Sequence, residues 1–513
     1  MEHLFSKVAS STLIGIEGLK VWVETDLDGG LPNFYLVGLP APSVKEARER
    51  VRAALRNSGF SFPVMRITVN LAPADLRKDG SAFDLAIAAG ILASSGQVPA
   101  GSLAGKVLVG ELSLDGKVRS VPGTMAMAAS LRKMTREKTV LIVPHGNLRE
   151  ASLIDGVTVL GVATVQELVA YLRGEITLPQ GKPDMEKLLA EGNRNFSPDF
   201  KEVKGQFAAK RALEISAAGG HNILLTGPPG TGKTMLARRI PSILPSLTLE
   251  ECLEITKIYS VAGLLKEEAP LITQRPFRSP HHTATTAGML GGGRIPQPGE
   301  VTLAHLGVLF LDEFPEYSRD VLEGLRQPLE DGDVTITRQE MSLRFPSRLM
   351  LIASKNPCPC GYYGHPKKVC QCTESQIRRY RLKSSGPLMD RIDIHVNVPS
   401  MEYSELLEDR ETENSATIRK RVEKARGVQR ERFQKSNIRC NAEMTGRHLR
   451  KFCSLNKEAR RILGQAFDSL SLSMRAHDRI IKVARTIADL EQEVSIKAHH
   501  LAEAIQYRNL DEQ

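Results

Sequence analysis

Gly227-Pro-Pro-Gly-Thr-Gly-Lys233-Thr234 carries the phosphate-binding spacing G-x-x-x-x-G-K-[ST] without a gap. Glycines in such a run let the backbone turn its N–H groups onto phosphate oxygens. The lysine of the pattern reaches the β- and γ-phosphates of a nucleotide, and the hydroxyl after it holds Mg²⁺. The candidate contacts are Gly227, Pro228, Pro229, Gly230, Thr231, Gly232, Lys233 and Thr234, with ATP or GTP as ligand. The opposing reading, a glycine-rich turn with a stray lysine, does not suit the flanks. Ile223-Leu-Leu-Thr226 reads as a strand and Met235-Leu-Ala-Arg-Arg-Ile240 as a helix. The N-terminus of that helix adds a partial positive charge.

Further chemistry lies downstream. Gly307-Val-Leu-Phe-Leu-Asp312-Glu313 is a buried-strand pattern that ends in two acids. Ligands of α/β sheets bind at the C-terminal ends of strands. There Asp312 would assist Mg²⁺, and Glu313 would orient and polarise an attacking water. A third strand, Arg348–Ser354, runs into Lys355-Asn356, whose amide would touch the γ-phosphate or the water; Asn-Pro also suits a plain turn. Arg391, in Asp390-Arg-Ile-Asp393, would offset charge in a neighbouring subunit's site or form a surface ion pair. Arg475 and Arg479 open a late helix and place two more cations in play.

Four of seven cysteines fall within one window, as Cys358-Pro-Cys360 and Cys370-Gln-Cys372. Four thiolates would hold a structural Zn²⁺. The C-x-C spacing is tighter than the usual C-x-x-C, His365 is a rival ligand, and free thiols are the alternative. His281-His282 reads as ordinary loop histidines sooner than as metal ligands. From Thr417 to Lys451, 12 Lys or Arg face 3 Glu, nearly the excess of the whole chain (+10). Such a block, with Arg419, Lys420 and Arg421 in it, marks either a polyanion-binding surface or a solvated helix.

The elements that must position these residues suggest several domains in 513 residues. Residues 1–175 read as a mixed α/β domain and 176–195 as a polar linker. Residues 196–400 alternate strands and helices, the pattern of a parallel sheet. Residues 401–432 form a charged helical connector, and 433–513 a helical domain with apolar residues at helical spacing from Ile480 to Leu490. The fold class is multidomain α/β and α+β. Between Pro276 and Pro298 lies an insert rich in glycine, with Arg294. Asp333–Arg338 and Ser342–Pro346 read as a hairpin with Arg338 and Arg344. Basic loops of this kind would contact phosphates without reading sequence. No apolar run reaches membrane-span length, and Met1-Glu-His-Leu-Phe-Ser-Lys lacks a signal-peptide layout, so a cytoplasmic chain with thiols is expected.

The order of phosphate loop, Asp-Glu strand, Asn-ended strand and Asp-Arg resembles an AAA+ ATPase. Gly291-Gly-Gly-Arg294, Pro298-Gly-Glu-Val-Thr-Leu-Ala-His305, Asn356-Pro-Cys-Pro-Cys-Gly361 and Leu472-Ser-Met-Arg-Ala-His-Asp-Arg-Ile480 resemble the ComM/YifB family of magnesium-chelatase-like AAA+ proteins. The resemblance covers nearly the whole chain. It implies a homo-oligomeric ring, usually a hexamer, with ATP between subunits. It implies sensor 1 at Asn356, an arginine finger at Arg391 and sensor 2 at Arg475, with Arg348 and Arg479 as competitors. It also implies that Gly205, Gln206, His221 and Asn222 lie near the adenine, and that the insert projects into the ring channel. Residues 77–175, with Lys78-Asp-Gly80 and Val109–Val118, resemble the proteolytic domain of Lon. The nucleophile and base positions there hold Ala82 and Met125, and Ser81 sits one place early, so a scaffold without the Ser-Lys dyad is expected. Three functions follow: a motor on single-stranded or branched DNA, with branch migration in recombination of incoming DNA; a magnesium-chelatase ATPase subunit; or a protein-remodelling ATPase.

Overall fold

The computed structural model describes all but residues 1–3, 76, 135–138, 193–197, 294–295, 339–340, 384–387, 402–411, 471 and 509–513, and all side chains but those and 100, 190–192, 338 and 341. The chain forms two compact units. One combines Met1–Glu191 with Leu249–Ile272, and the other combines Gly192–Thr248 with Thr273–Gln513. The segment 249–272 lies inside the span read as ATPase core, yet its helix Leu249–Val261 packs on the helix Thr124–Met134 of the first unit.

The first unit is built on a seven-stranded mixed sheet. Its order is Asn33–Val37, Arg66–Ala72, Glu17–Asp28, Phe5–Ile14, Lys106–Leu108, Val140–Pro144, Thr158–Val162. The helix Asp84–Ser94 (DLAIAAGILAS) is buried along its whole length and forms the centre of the core.

The second unit holds a five-stranded parallel sheet in the order Phe277–Arg278, Val308–Leu311, Met350–Lys355, Ile223–Thr226, Ile394–Asn397. Both faces are covered, so these strands read as unbroken apolar runs. Ile223, Leu225, Phe310 and Ile352 pack against the helix Phe207–Gly219 and the C-terminal helices. Leu224, Leu309, Leu311 and Leu351 pack against Val301, Val321 and Met289 on the other side. C-terminal helices run over Ser415–Phe433, Gly446–Phe452, Lys457–Ser469, Met474–Leu490 and Ala498–Gln506. Asn414, Asn456 and Ser473 cap three of them by accepting backbone N–H bonds, which ends the preceding loops sharply. Part of the insert read as a loop is structured. Phe277–Arg278 joins the sheet edge, and Gly291–Gly292 pairs with Gln297–Pro298. The hairpin forms from Asp333–Arg338 and Met341–Pro346.

Candidate active site

The parallel sheet brings three strand ends to one place. Ile223–Thr226 ends at the phosphate loop, Val308–Leu311 at Asp312-Glu313, and Met350–Lys355 at Asn356. The loop closes on its neighbour through the Gly227 N–H, which donates to the Lys355 carbonyl at 3.2 Å. Gly232, at φ +88, supplies the left-handed turn that starts the helix Lys233–Arg239. Together the loop, Asp312, Glu313, Ser354, Lys355 and Asn356 line a cleft of about 390 Å³.

Lys233 Nζ donates to the carbonyls of Gly227 (2.7 Å) and Pro228 (2.8 Å) and to Asn356 Oδ1 (3.2 Å). Burial lowers its pKa, against the opposing fields of Asp312 and Glu313. Thr234 Oγ1 donates to Asp312 Oδ2 at 2.7 Å, and the Ser354 hydroxyl donates to Asp312 Oδ1. A hydroxyl and a carboxylate at this separation are hard oxygen donors of the kind Mg²⁺ selects. Ser354 has no place in the sequence motifs, yet it fixes the carboxylate. Glu313 adopts φ +51, and its N–H reaches Asp312 Oδ1 and Ser354 Oγ, both at 3.2 Å. Its carboxylate lies 3.9 Å from His282 Nδ1, and the His282 ring meets Tyr317 edge-on. Burial, then the Asp312 and Glu313 charges, push the Tyr317 phenol up, and it donates to the Pro280 carbonyl at 2.6 Å. His281 bonds Thr283 instead. Gln206, at φ +54, puts Nε2 within 2.8 Å of the Pro399 carbonyl and 3.5 Å of that of Thr231, so Gly205-Gln206 adjoins the loop.

His221 and Asn222 correct an expectation. They precede the strand Ile223–Thr226, at the end away from the phosphate loop, and are tied into the sheet. His221 is fully buried beside Thr486 (2.8 Å) and Asp393, while Asn222 bonds Asp393, Arg391 and Leu351. Four strand residues separate them from the loop, roughly 13 Å at 3.3 Å per residue.

The candidate arginines gather at that same far end. Arg391 is buried and pairs with Glu330. Its hydrogen bond, then the charges of Arg391, Arg475 and Arg479, hold the Glu330 carboxyl below its usual range. Arg479 Nη1 donates to Asp393 Oδ1 at 2.9 Å. Burial would raise Asp393, but the His221 bond and the Arg479 charge carry it well below the carboxylate range. Arg348 sits at the same end, its N–H donating to His305 Nδ1 (3.1 Å) just ahead of the strand Met350–Lys355.

The four cysteine sulfurs all lie within 4.8 Å of one another. His365 turns away from them. Its Nδ1 accepts from the N–H groups of Lys367 and Lys368, and Nε2 is 3.3 Å from the Ser400 hydroxyl. In the first unit Ser81 bonds Glu111, the Lys78 ammonium bonds the Pro73 carbonyl, and Ala82 and Met125 are buried.

The basic block divides. Arg421 pairs with Glu214 and Glu413, Arg432 with Asp489, and Arg419 with Glu423 and Ser246, so three arginines of the block serve the fold. Arg419 and Arg421, read as DNA contacts, are thus engaged in ion pairs within the fold. Lys420, Lys424 and Arg430 on the same helix are exposed. Arg344 pairs with Asp333 across the hairpin and remains largely exposed. Arg294 and the side chain of Arg338 lie outside the described residues. No helix among the described residues is long and apolar enough to cross a membrane.

Comparison with known proteins matches three stretches to families described as "Magnesium chelatase, subunit ChlI" (residues 199–406), "Subunit ChlI of Mg-chelatase" (23–147) and "Magnesium chelatase, subunit ChlI C-terminal" (412–508). The chain is 44% identical to "Competence protein ComM" of Haemophilus influenzae, over 98% of this chain and 97% of that one. It is 43% identical to "Uncharacterized protein YifB" of Escherichia coli, over 99% and 97%. With the "Magnesium-chelatase 38 kDa subunit" of Cereibacter sphaeroides it shares 24% identity, over 31% of this chain and 52% of that one.

Proposed function

Since this chain belongs to the ComM/YifB family of magnesium-chelatase-like AAA+ ATPases, we propose that it hydrolyses ATP in a cytoplasmic ring, a hexamer, and uses the energy to move DNA. The observation that carries the hydrolytic half is the Thr234–Asp312–Ser354 chain set beside Lys233 and Asn356. An incoming triphosphate replaces the carbonyls of Gly227 and Pro228 as the acceptors of the Lys233 ammonium. Thr234 and Asp312 would hold Mg²⁺, which would supply positive charge against the triphosphate. Glu313 aligns the water, and Asn356 holds the γ-phosphate side of the cleft. Arg391 and Arg475 act on the next subunit's nucleotide, because both lie at the end of the sheet away from their own loop. The four cysteine thiols supply a closed set for a structural Zn²⁺.

Full-length similarity to a protein named for competence favours DNA as the cargo. Exposed Lys420, Lys424 and Arg430 along one helix suit a phosphate backbone. The chelatase alternative draws on the three ChlI family matches, but the chelatase subunit itself shares only 24% identity over 31% of the chain. The test is ATP hydrolysis with and without single-stranded and branched DNA at low salt. Stimulation by either supports the reading. Failure of DNA both to bind and to stimulate defeats the DNA half and favours protein remodelling. Lys233→Ala abolishes nucleotide binding; hydrolysis at the parent rate would refute the site.

A further inference from the structure

We infer that Cys358, Cys360, Cys370 and Cys372 hold a zinc ion that fixes the phosphate loop and Asn356 in place, so that metal occupancy sets nucleotide affinity. The second half rests on the nucleotide reading of the cleft.

The sulfur geometry is that of a tetrahedral site. Cys358 and Cys360 are 3.4 Å apart, and each lies 3.6 Å from Cys370. A tetrahedron of 2.3 Å Zn–S bonds has edges of about 3.8 Å. All four thiols are free of disulfides. Two backbone N–H groups already point at sulfur, Tyr363 to Cys358 (3.3 Å) and Cys360 to Cys372 (3.4 Å). Such donors stabilise thiolates around a metal. The tight C-x-C spacing works because a turn follows it: Gly361, at φ +83, donates its N–H to the Cys358 carbonyl at 3.0 Å. No helix or strand forms between Lys355 and Glu374. A loop of that length with no secondary structure of its own needs another restraint.

The site is joined to the nucleotide cleft at two points. Cys358 is fully buried and lies two residues beyond Asn356, which accepts from Lys233. Gly361 presses on the phosphate loop itself, where a Cβ would stand 2.5 Å from Pro229 Cδ. At the other end Cys372 stands two residues before the helix Glu374–Lys383. A metal closing this loop therefore holds the carboxyl end of one strand, the floor of the phosphate loop and a helix start in one arrangement. Losing it frees Asn356 and Pro229 together.

The experiment uses the full-length protein. Elemental analysis should find about one zinc per chain. The variant Cys370→Ser/Cys372→Ser should lose the metal and bind a fluorescent ATP analogue at least about tenfold more weakly, as loss of supporting contacts around a site does. Gly361→Ala keeps all four thiols and crowds Pro229. It should retain zinc yet raise the KM for ATP more than it lowers kcat, a split that general destabilisation would not give. It also stands as the test if the double variant does not fold. Absence of zinc from protein purified without chelator and then supplied with Zn²⁺ overturns the metal site. Zinc-free and Gly361→Ala proteins that bind ATP like the parent overturn the coupling. Zinc-loaded parent protein that binds no ATP overturns the nucleotide site, a separate failure.

Discussion

Glu313 occupies a left-handed backbone conformation that a non-glycine residue adopts at a cost of about 1–3 kcal/mol. Its N–H donates to Asp312 Oδ1 and Ser354 Oγ, and these bonds hold it there. Strain retained beside the cleft accords with the proposed role of Glu313 in aligning water. Glu313→Gln should bind ATP like the parent but hydrolyse it about 10²–10⁴-fold more slowly, read by nucleotide titration and phosphate release. Ser354→Ala should lower apparent Mg²⁺ affinity about tenfold, because the Asp312 carboxylate loses its second anchor; a magnesium titration of the ATPase rate checks it. Asp393 gives a pH test. Its folded pKa is depressed, so its stabilising contribution is full above the unfolded carboxyl value near 3.9 and fades as pH falls below it. Asp393→Asn should lose about 3 kcal/mol at pH 7, and the gap from the parent should narrow below about pH 4 in denaturant titrations. The loop, Asp312-Glu313 and Asn356 were legible because each is a local pattern at a strand end. Ser354, Glu330 and His282 were not, since only the sheet brings them to Asp312, Arg391 and Glu313.

The helix Ser415–Phe433 shows how far charge counting goes at the scale of an element. Composition alone makes it one basic block. Packing splits it into arginines that bind Glu214, Glu413, Glu423 and Asp489 and cations that face solvent. Replacing Lys420, Lys424 and Arg430 together by Gln should weaken DNA binding and reduce the slope of log affinity against log salt by about 2–3, with folding stability unchanged. Arg432→Ala should do the reverse, losing about 1–3 kcal/mol in denaturation while leaving the salt slope alone, because buried Asp489 then keeps only Arg485 and Asn441 as partners. The same contrast explains which elements could be read. The strands Ile223–Thr226, Val308–Leu311 and Met350–Lys355 are covered on both faces and announce themselves as apolar runs. The strand Phe5–Ile14 is hard to read from sequence, because Ser6, Ser10, Ser11 and Thr12 are polar. Buried in the sheet, the Ser6, Ser10 and Ser11 hydroxyls bond the carbonyls of Gly90, Leu108 and Leu19. Nothing local in the sequence of the helix Leu249–Val261 says that it belongs with the first unit.

For the whole molecule, the decisive fact is the direction of the parallel sheet. Its strands carry Lys233, Thr234, Asp312 and Asn356 at one end and leave Arg391, together with the charges of Arg475 and Arg479 around Glu330, at the other. If Arg391 acts in catalysis as proposed, one chain carries both halves of the site without being able to join them. In the proposed head-to-tail ring each heterologous interface would set one subunit's cleft against the next subunit's arginine edge. Arg391→Ala chains should bind ATP yet hydrolyse it poorly, and Glu313→Gln chains should fail for the opposite reason. In an equal mixture, an interface is complete when the cleft comes from an Arg391→Ala chain and the arginine from a Glu313→Gln chain. Random assembly gives roughly a quarter of interfaces this composition. The mixture should then recover up to about a quarter of the parent ATPase rate, well above either variant alone, after subunits are exchanged at low concentration and reassembled with nucleotide. Recovery of nothing beyond the mean of the two variants would mean that Arg391 serves its own chain, through Glu330, and that the ring supplies its arginine from elsewhere.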